Sequence, residues 1–245
     1  MNEQARSGWI FAGLLLVLAF LSVLSLFLPQ GTFLPLPEEE LVFPLPVLAL
    51  INGVGIIIIY GGLGWLGLNL ARKLGFPELY AEKITNKERF LYPGLAGAAI
   101  GVFFIFADLV QAQFHPLGRF PHPPFPMSIV ASATAGIGEE MIFRLFLIPF
   151  LLWLLRKKPA NNGAFWGVAI FSALAFAFGH FPSLLILYGL KSISELPFAI
   201  FLAVVLLNGV VSLFAAGYFR KYGFLAAVSL HFWTDIVWHV LWGLV

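Results

Sequence analysis

Apolar residues in this chain come in long runs rather than in alternation with polar ones. Seven runs are close to the roughly 20 residues needed to cross a bilayer as a helix. They cover residues 8–28, 47–71, 91–112, 127–155, 164–181, 197–219 and 223–244. Short charged or Pro-rich segments separate them, and the pattern predicts an all-α bundle of about seven transmembrane helices. The first run is too long for the apolar core of a signal peptide, and Pro29-Gln30-Gly31 ends it without a small-residue cleavage site, so it reads as a retained span. Residues 29–46 read as a loop carrying Glu38, Glu39 and Glu40. Residues 78–89 are expected to form a short interfacial helix. Residues 182–196 read as a partly apolar, re-entrant connection, or as an eighth short span. Gly97-x-x-x-Gly101 offers a close-packing face, either within the chain or to a second copy.

Charge orients the bundle. Arg6, the five basic residues Arg72, Lys73, Lys83, Lys87 and Arg89, the turn Arg156-Lys157-Lys158 and the pair Arg220-Lys221 all fall on one side. Arg119 and Lys191 fall on the other. The positive-inside rule then places the N-terminus in the cytoplasm. An eighth span at 182–196 would move Arg220-Lys221 outside.

Composition agrees. The 245 residues are 60% hydrophobic and 11% charged, with a mean hydropathy of +0.94, too apolar for a water-facing surface all round. The expectation is one multi-pass domain, 1–245, in the cell membrane and in contact with its lipids. The basic residues are divided among short loops and form no stripe for nucleic acid. There is no cysteine, so thiol nucleophiles, disulfides and Cys-ligated zinc are excluded. Oligomeric state is left open.

The informative exceptions are polar residues inside apolar runs, where ionised groups are costly and point to function. Glu139, Glu140 and Arg144 interrupt the fourth run. Glu140 and Arg144 are four apart, on one helix face and in the favourable order for an ion pair, which leaves Glu139 free. The fifth run ends in Phe176-Ala177-Phe178-Gly179-His180, with the ring and the imidazole on one face. The seventh holds His231, Asp235 and His239 at four-residue spacing. At about 1.5 Å per residue, Glu139 and His180 each lie roughly 24 Å from the basic end of their runs, and His231 and Asp235 roughly 12 and 18 Å. Four polar positions on three helices can therefore meet. A carboxylate with a histidine can activate water, and a second histidine can donate to an oxyanion. The bland reading is a network of hydrogen bonds and charges between helices. No His-Glu-x-x-His is present.

Glu-Glu-x-x-x-Arg, then Phe-x-x-x-His, then His-x-x-x-Asp on successive membrane helices resembles the type II CAAX prenyl endopeptidases, the family of CAAX proteases and bacteriocin-processing enzymes. The motifs occupy 127–245. The resemblance implies an intramembrane protease with its site open toward the cytoplasm and a membrane-associated or lipidated peptide as substrate. It implies Glu139 as general base, His180 orienting the same water, His231 and residue 235 at the oxyanion, and Glu140, Arg144 and Phe176 in support. An ionised Asp235 accepts hydrogen bonds and does not donate them, so here it is protonated, or orients His231, or binds a metal. The glutamate mechanism needs no cofactor. The alternative is zinc held by Glu139, His180, His231 and Asp235. Two non-proteolytic readings stand beside these: an immunity or scaffolding protein, or a proton-coupled transporter that also uses Asp108 and Asn208. Asp108 is otherwise expected to hydrogen-bond near the outer boundary, and His115 and His122 to lie in an ordered external loop.

Overall fold

The computed structural model describes residues 2–31 and 42–245, and the acidic Glu38–Glu40 segment lies outside them. The described residues form helices and turns, with no strand among them. Helix α1 (Glu3–Ser25) starts where the Asn2 side chain accepts from the Ala5 N–H at 2.8 Å. Helix α2 (Leu45–Leu74) returns and stops at Gly75. A π-helical turn (Lys87–Leu91) runs into α3 (Tyr92–Gln111). The fourth crossing is α4 (Met127–Glu140), a π-helical segment (Met141–Leu147) and α5 (Ile148–Leu154) in one continuous run. Pro149 cannot supply the N–H that an α-helical Leu145 carbonyl would accept, and the chain widens just before it. Helix α6 (Asn162–Gly179) is followed by α7 (Phe181–Tyr188), α8 (Phe198–Tyr222) and α9 (Phe224–Asp235), with a last π turn at Ile236–Leu241.

Six helical stretches are long and apolar enough to cross a membrane. The run from Met127 to Leu154 is interrupted by Glu139, Glu140 and Arg144 and is not among them. Large apolar side chains such as Leu16, Ile58, Phe106 and Leu206 stay exposed, as lipid-facing ones must. The protein is a multi-pass integral membrane protein.

Two details differ from the sequence reading. Of the expected helix over 78–89 only 86–89 are helical, leading into α3, and residues 76–85 are not. They fold as turns whose apolar side chains Phe76, Leu79, Ala81 and Ile84 are buried. Arg89, itself 2% exposed, donates to the carbonyls of Ala81 and Ile84 and to the Asn86 side chain. Tertiary burial and this arginine satisfy the segment better than a helix lying in the interface would. Nor do residues 182–196 form a span. Helix α7 continues the line of α6 past a break at His180, and its 8 residues reach only about 12 Å.

Helix α9 is the centre of the bundle. In its apolar window 67% of the residues are buried, against 39% or less for the other five. It packs on α3, α8 and α4. Gly94, Gly97 and Gly101 let α3 come close. A Cβ on Gly94 would stand 2.8 Å from Trp233, and one on Gly101 2.6 Å from Val237. The Gly-x-x-x-Gly face is therefore used inside the chain. Gly223, at φ 83°, makes the turn from α8 into α9.

Candidate active site

Glu140 closes α4 and is fully buried. One of its oxygens, Oε2, lies 3.0 Å from Arg144 Nε, and both side chains are 0% exposed. The other, Oε1, accepts from His231 Nδ1 at 2.8 Å. One carboxylate thus bridges a cation on its own helix and an imidazole on α9. The Arg144 guanidinium also lies over the Phe176 ring, 4.8 Å from its centroid, a contact that favours a cation in an apolar setting.

Glu139 is turned away from this pair. Its side chain is 33% exposed, and its Oε2 lies 3.6 Å from His231 Nε2. Asp235, one turn along α9, places Oδ2 at 3.6 Å from the same nitrogen. His231 therefore has Nδ1 occupied by Glu140, and Nε2 between two further carboxylates.

His180 sits at the break between α6 and α7. Pro182 in the first turn of α7 removes a helical N–H there. The His180 Nδ1–H donates to the Phe176 carbonyl at 2.8 Å, which fixes the tautomer and leaves Nε2 as the free, basic nitrogen. Phe176 is the common wall. Its ring meets His180 edge-on at 4.7 Å and His231 at 5.7 Å.

Glu139, His180, His231 and Asp235 all line one cavity of about 380 Å³. The remaining wall is mostly apolar, from Phe104, Phe120, Leu184, Leu207 and Trp238, with Asn208 as a polar exception. The structure thus gathers the residues singled out on three separate runs. Glu140 and Arg144 lie behind the cavity wall, with Glu140 reaching His231 from that side. Among the described residues no group of three or more His, Asp or Glu is arranged to hold a metal ion.

Residues 121–237 match the family model described as type II CAAX prenyl endopeptidase Rce1-like. Over this region the chain is similar to that family. The matched part of the chain begins in the connection before α4 and ends two residues after Asp235, so it contains every residue of the cluster. Helices α1 to α3 lie before it. Among curated proteins none matches the chain, and no solved structure does. The family so described is one of endopeptidases, which are hydrolases acting on peptide bonds.

Several functional neighbours escaped the sequence reading. Trp238 and Phe104 line the cavity, but in sequence they look like ordinary core aromatics. His239 lines the same cavity as His231 and Asp235, although a π turn follows Asp235. Its Nδ1 meets His122 Nδ1 at 3.0 Å, a partner 117 positions away that no local spacing reveals. Burial pushes the His122 imidazole down to about 4, with Asp108 opposing and Arg119 adding to the effect. His122 is thus neutral near pH 7.

The 113–126 connection around it is held by several contacts. Buried Asp108 accepts from Gln111 Nε2, the Phe120 N–H and Trp242 Nε1, each at 2.9 Å. His115 pairs separately with Gln111.

Proposed function

We propose that this protein hydrolyses a peptide bond at the membrane by a metal-free glutamate mechanism. Glu139 takes a proton from a water that His180 orients through Nε2. The resulting hydroxide adds to the carbonyl carbon, and the C=O electron pair moves onto oxygen. His231 donates to that oxyanion from Nε2. Donation from both ring nitrogens requires the imidazolium form, for which Glu140, Glu139 and Asp235 are the counter-charges. Collapse of the tetrahedral intermediate breaks the C–N bond, and Glu139 passes its proton to the leaving amine. Asp235 has oxygen acceptors and, when ionised, no donor, so it acts as a positioning residue for His231.

The observation that carries this reading is the division of labour between adjacent carboxylates. Glu140 is sequestered between Arg144 and His231, while Glu139 is part-exposed and faces the cavity. The apolar wall suits a substrate with apolar groups beside the bond, including the lipidated C-terminal tails of CAAX-type processing.

Purified protein in detergent should cut a membrane-associated peptide. Glu139→Gln should lower kcat by about 10²–10⁴-fold, the usual range for loss of a general base, and a chelator should leave the wild-type rate unchanged. Full activity in Glu139→Gln would overturn the assignment. Chelator inactivation reversed by zinc would replace the metal-free mechanism.

A further inference from the structure

Between α6 and α8 the surface of the bundle holds a groove of about 410 Å³ that shares no lining residue with the candidate active site. Trp166 of α6 forms one wall, and Leu213, Phe214 and Tyr218 of α8 the other. Gly217 is the gap between them. A Cβ there would stand 3.5 Å from Trp166 Cη2, an ordinary contact, so any larger side chain would fill the groove. Leu213, Gly217 and Lys221 recur every four residues and lie on one face of α8.

The groove has a polar end and an apolar end. Lys221 lies in the last turn of α8, beside the start of α6, where Arg220 donates to Asn162 Oδ1 at 2.7 Å. Arg220 is committed to that bond and to the Phe165 ring below it. Lys221 is exposed and forms no ion pair among the described residues. Its Nζ stands 4.7 Å from the centre of the Tyr222 ring, which lies 5.9 Å from that of Tyr218. Glu88, in the turn before α3, acts on Lys221, but its carboxylate already accepts from the Thr85 N–H and hydroxyl at 2.9 and 2.8 Å. At the other end, about 12 Å along α8 from Lys221, the lining is Leu213 and Phe214 alone. Trp166 and Phe214 are exposed there, as residues facing hydrocarbon are.

We propose that this groove binds one anionic phospholipid, with its phosphate at Lys221 and one acyl chain lying over Gly217 toward Leu213. Lysine, tyrosine and tryptophan at a helix end mark the headgroup level of a bilayer, and basic pockets between membrane helices at that level suit anionic lipids. The ammonium of Lys221 and the phenols of Tyr218 and Tyr222 are hydrogen-bond donors for phosphate oxygens. Lys221 repels the cation that a zwitterionic headgroup carries, so charge selects the anionic lipid. The apolar length accepts hydrocarbon and offers a peptide backbone no partner. The site is independent of the chemistry at Glu139.

Trp166 is one of seven tryptophans, and its share of the fluorescence is the difference between wild type and Trp166→Phe. The protein is reconstituted in phosphatidylcholine bilayers with increasing fractions of a lipid brominated on its acyl chains, which quenches tryptophan on contact. Brominated phosphatidylglycerol should saturate the Trp166 quenching at a fraction about fivefold lower than brominated phosphatidylcholine, the effect of one basic residue on an anionic lipid. Lys221→Gln, a change at an exposed side chain, should bring the two lipids together. Gly217→Phe should remove the saturable part. Equal saturation by both lipids in the wild type means ordinary boundary lipid only and overturns the proposal. A preference that survives Lys221→Gln overturns the headgroup assignment, and a saturable part that survives Gly217→Phe overturns the groove. A wild-type dimer by light scattering that Gly217→Phe converts to monomer would show a second copy of the chain in the groove and also overturns it.

Discussion

Glu140 faces two positive partners at once, Arg144 Nε at 3.0 Å and His231 Nδ1 at 2.8 Å. Burying these groups is expensive, and removing one member of a buried pair costs about 3–5 kcal/mol because the other is left uncompensated. Replacing both members with apolar groups of similar size is often neutral. This separates the two duties of Glu140. Glu140→Gln should lower the melting temperature in detergent and also lower kcat. Glu140→Leu combined with Arg144→Met should recover most of the melting temperature while kcat stays low, because His231 still lacks its Nδ1 acceptor. Recovery of both would make Glu140 a purely structural residue. The neighbouring Glu139 escapes this sequestration through its helical phase, about 100° away from Glu140.

At the scale of elements, the site depends on how closely α9 approaches α3. Thr234 donates to the Gly97 carbonyl at 3.1 Å, and a Cβ on Gly97 would collide with the Leu230 carbonyl, backbone against backbone. No side-chain rotation relieves that clash. Gly97→Ala should destabilise by at least about 1–3 kcal/mol, the usual cost of overpacking, visible as a lower melting temperature. His231 follows Leu230 directly, so kcat/KM should fall even in protein that still folds. An alanine at Gly167 of α6 meets nothing within 4 Å and should leave both measurements near wild type. The π segments belong to the same scale. One follows Glu140 and one follows Asp235, so each carboxylate stands where the helix changes phase and its neighbours change direction.

Across the whole molecule, one buried carboxylate ties three distant parts of the chain together. Asp108 joins α3, the connection before α4 and Trp242 near the C-terminus. That connection supplies Phe120, Pro121 and Pro123 to the cavity. Asp108→Ala would strand three donors, each costing about 1–3 kcal/mol if it stays buried and unsatisfied. Limited proteolysis should then cut the 113–126 connection faster than in wild type, and KM should rise more than kcat falls. Unchanged cleavage of that connection would mean the cavity wall is held by other contacts, such as His122 with His239.

The sequence by itself determined the membrane class, the approximate limits of the long helices and the pairing of Glu140 with Arg144. These follow from local quantities: hydrophobic length, short-range helical phase and loop charge. It also pointed to His180, His231 and Asp235, because polar groups are conspicuous in hydrocarbon. Tertiary structure decided what spacing does not encode. It turned most of the helix expected over 78–89 into buried turns, because their apolar side chains find a protein surface. It gave Glu140 a second partner on α9, placed Trp238 and Phe104 in the cavity wall, and paired His239 with His122 across the fold. These partners lie far apart in the chain, and which side chains meet is a property of packed helices rather than of any one of them.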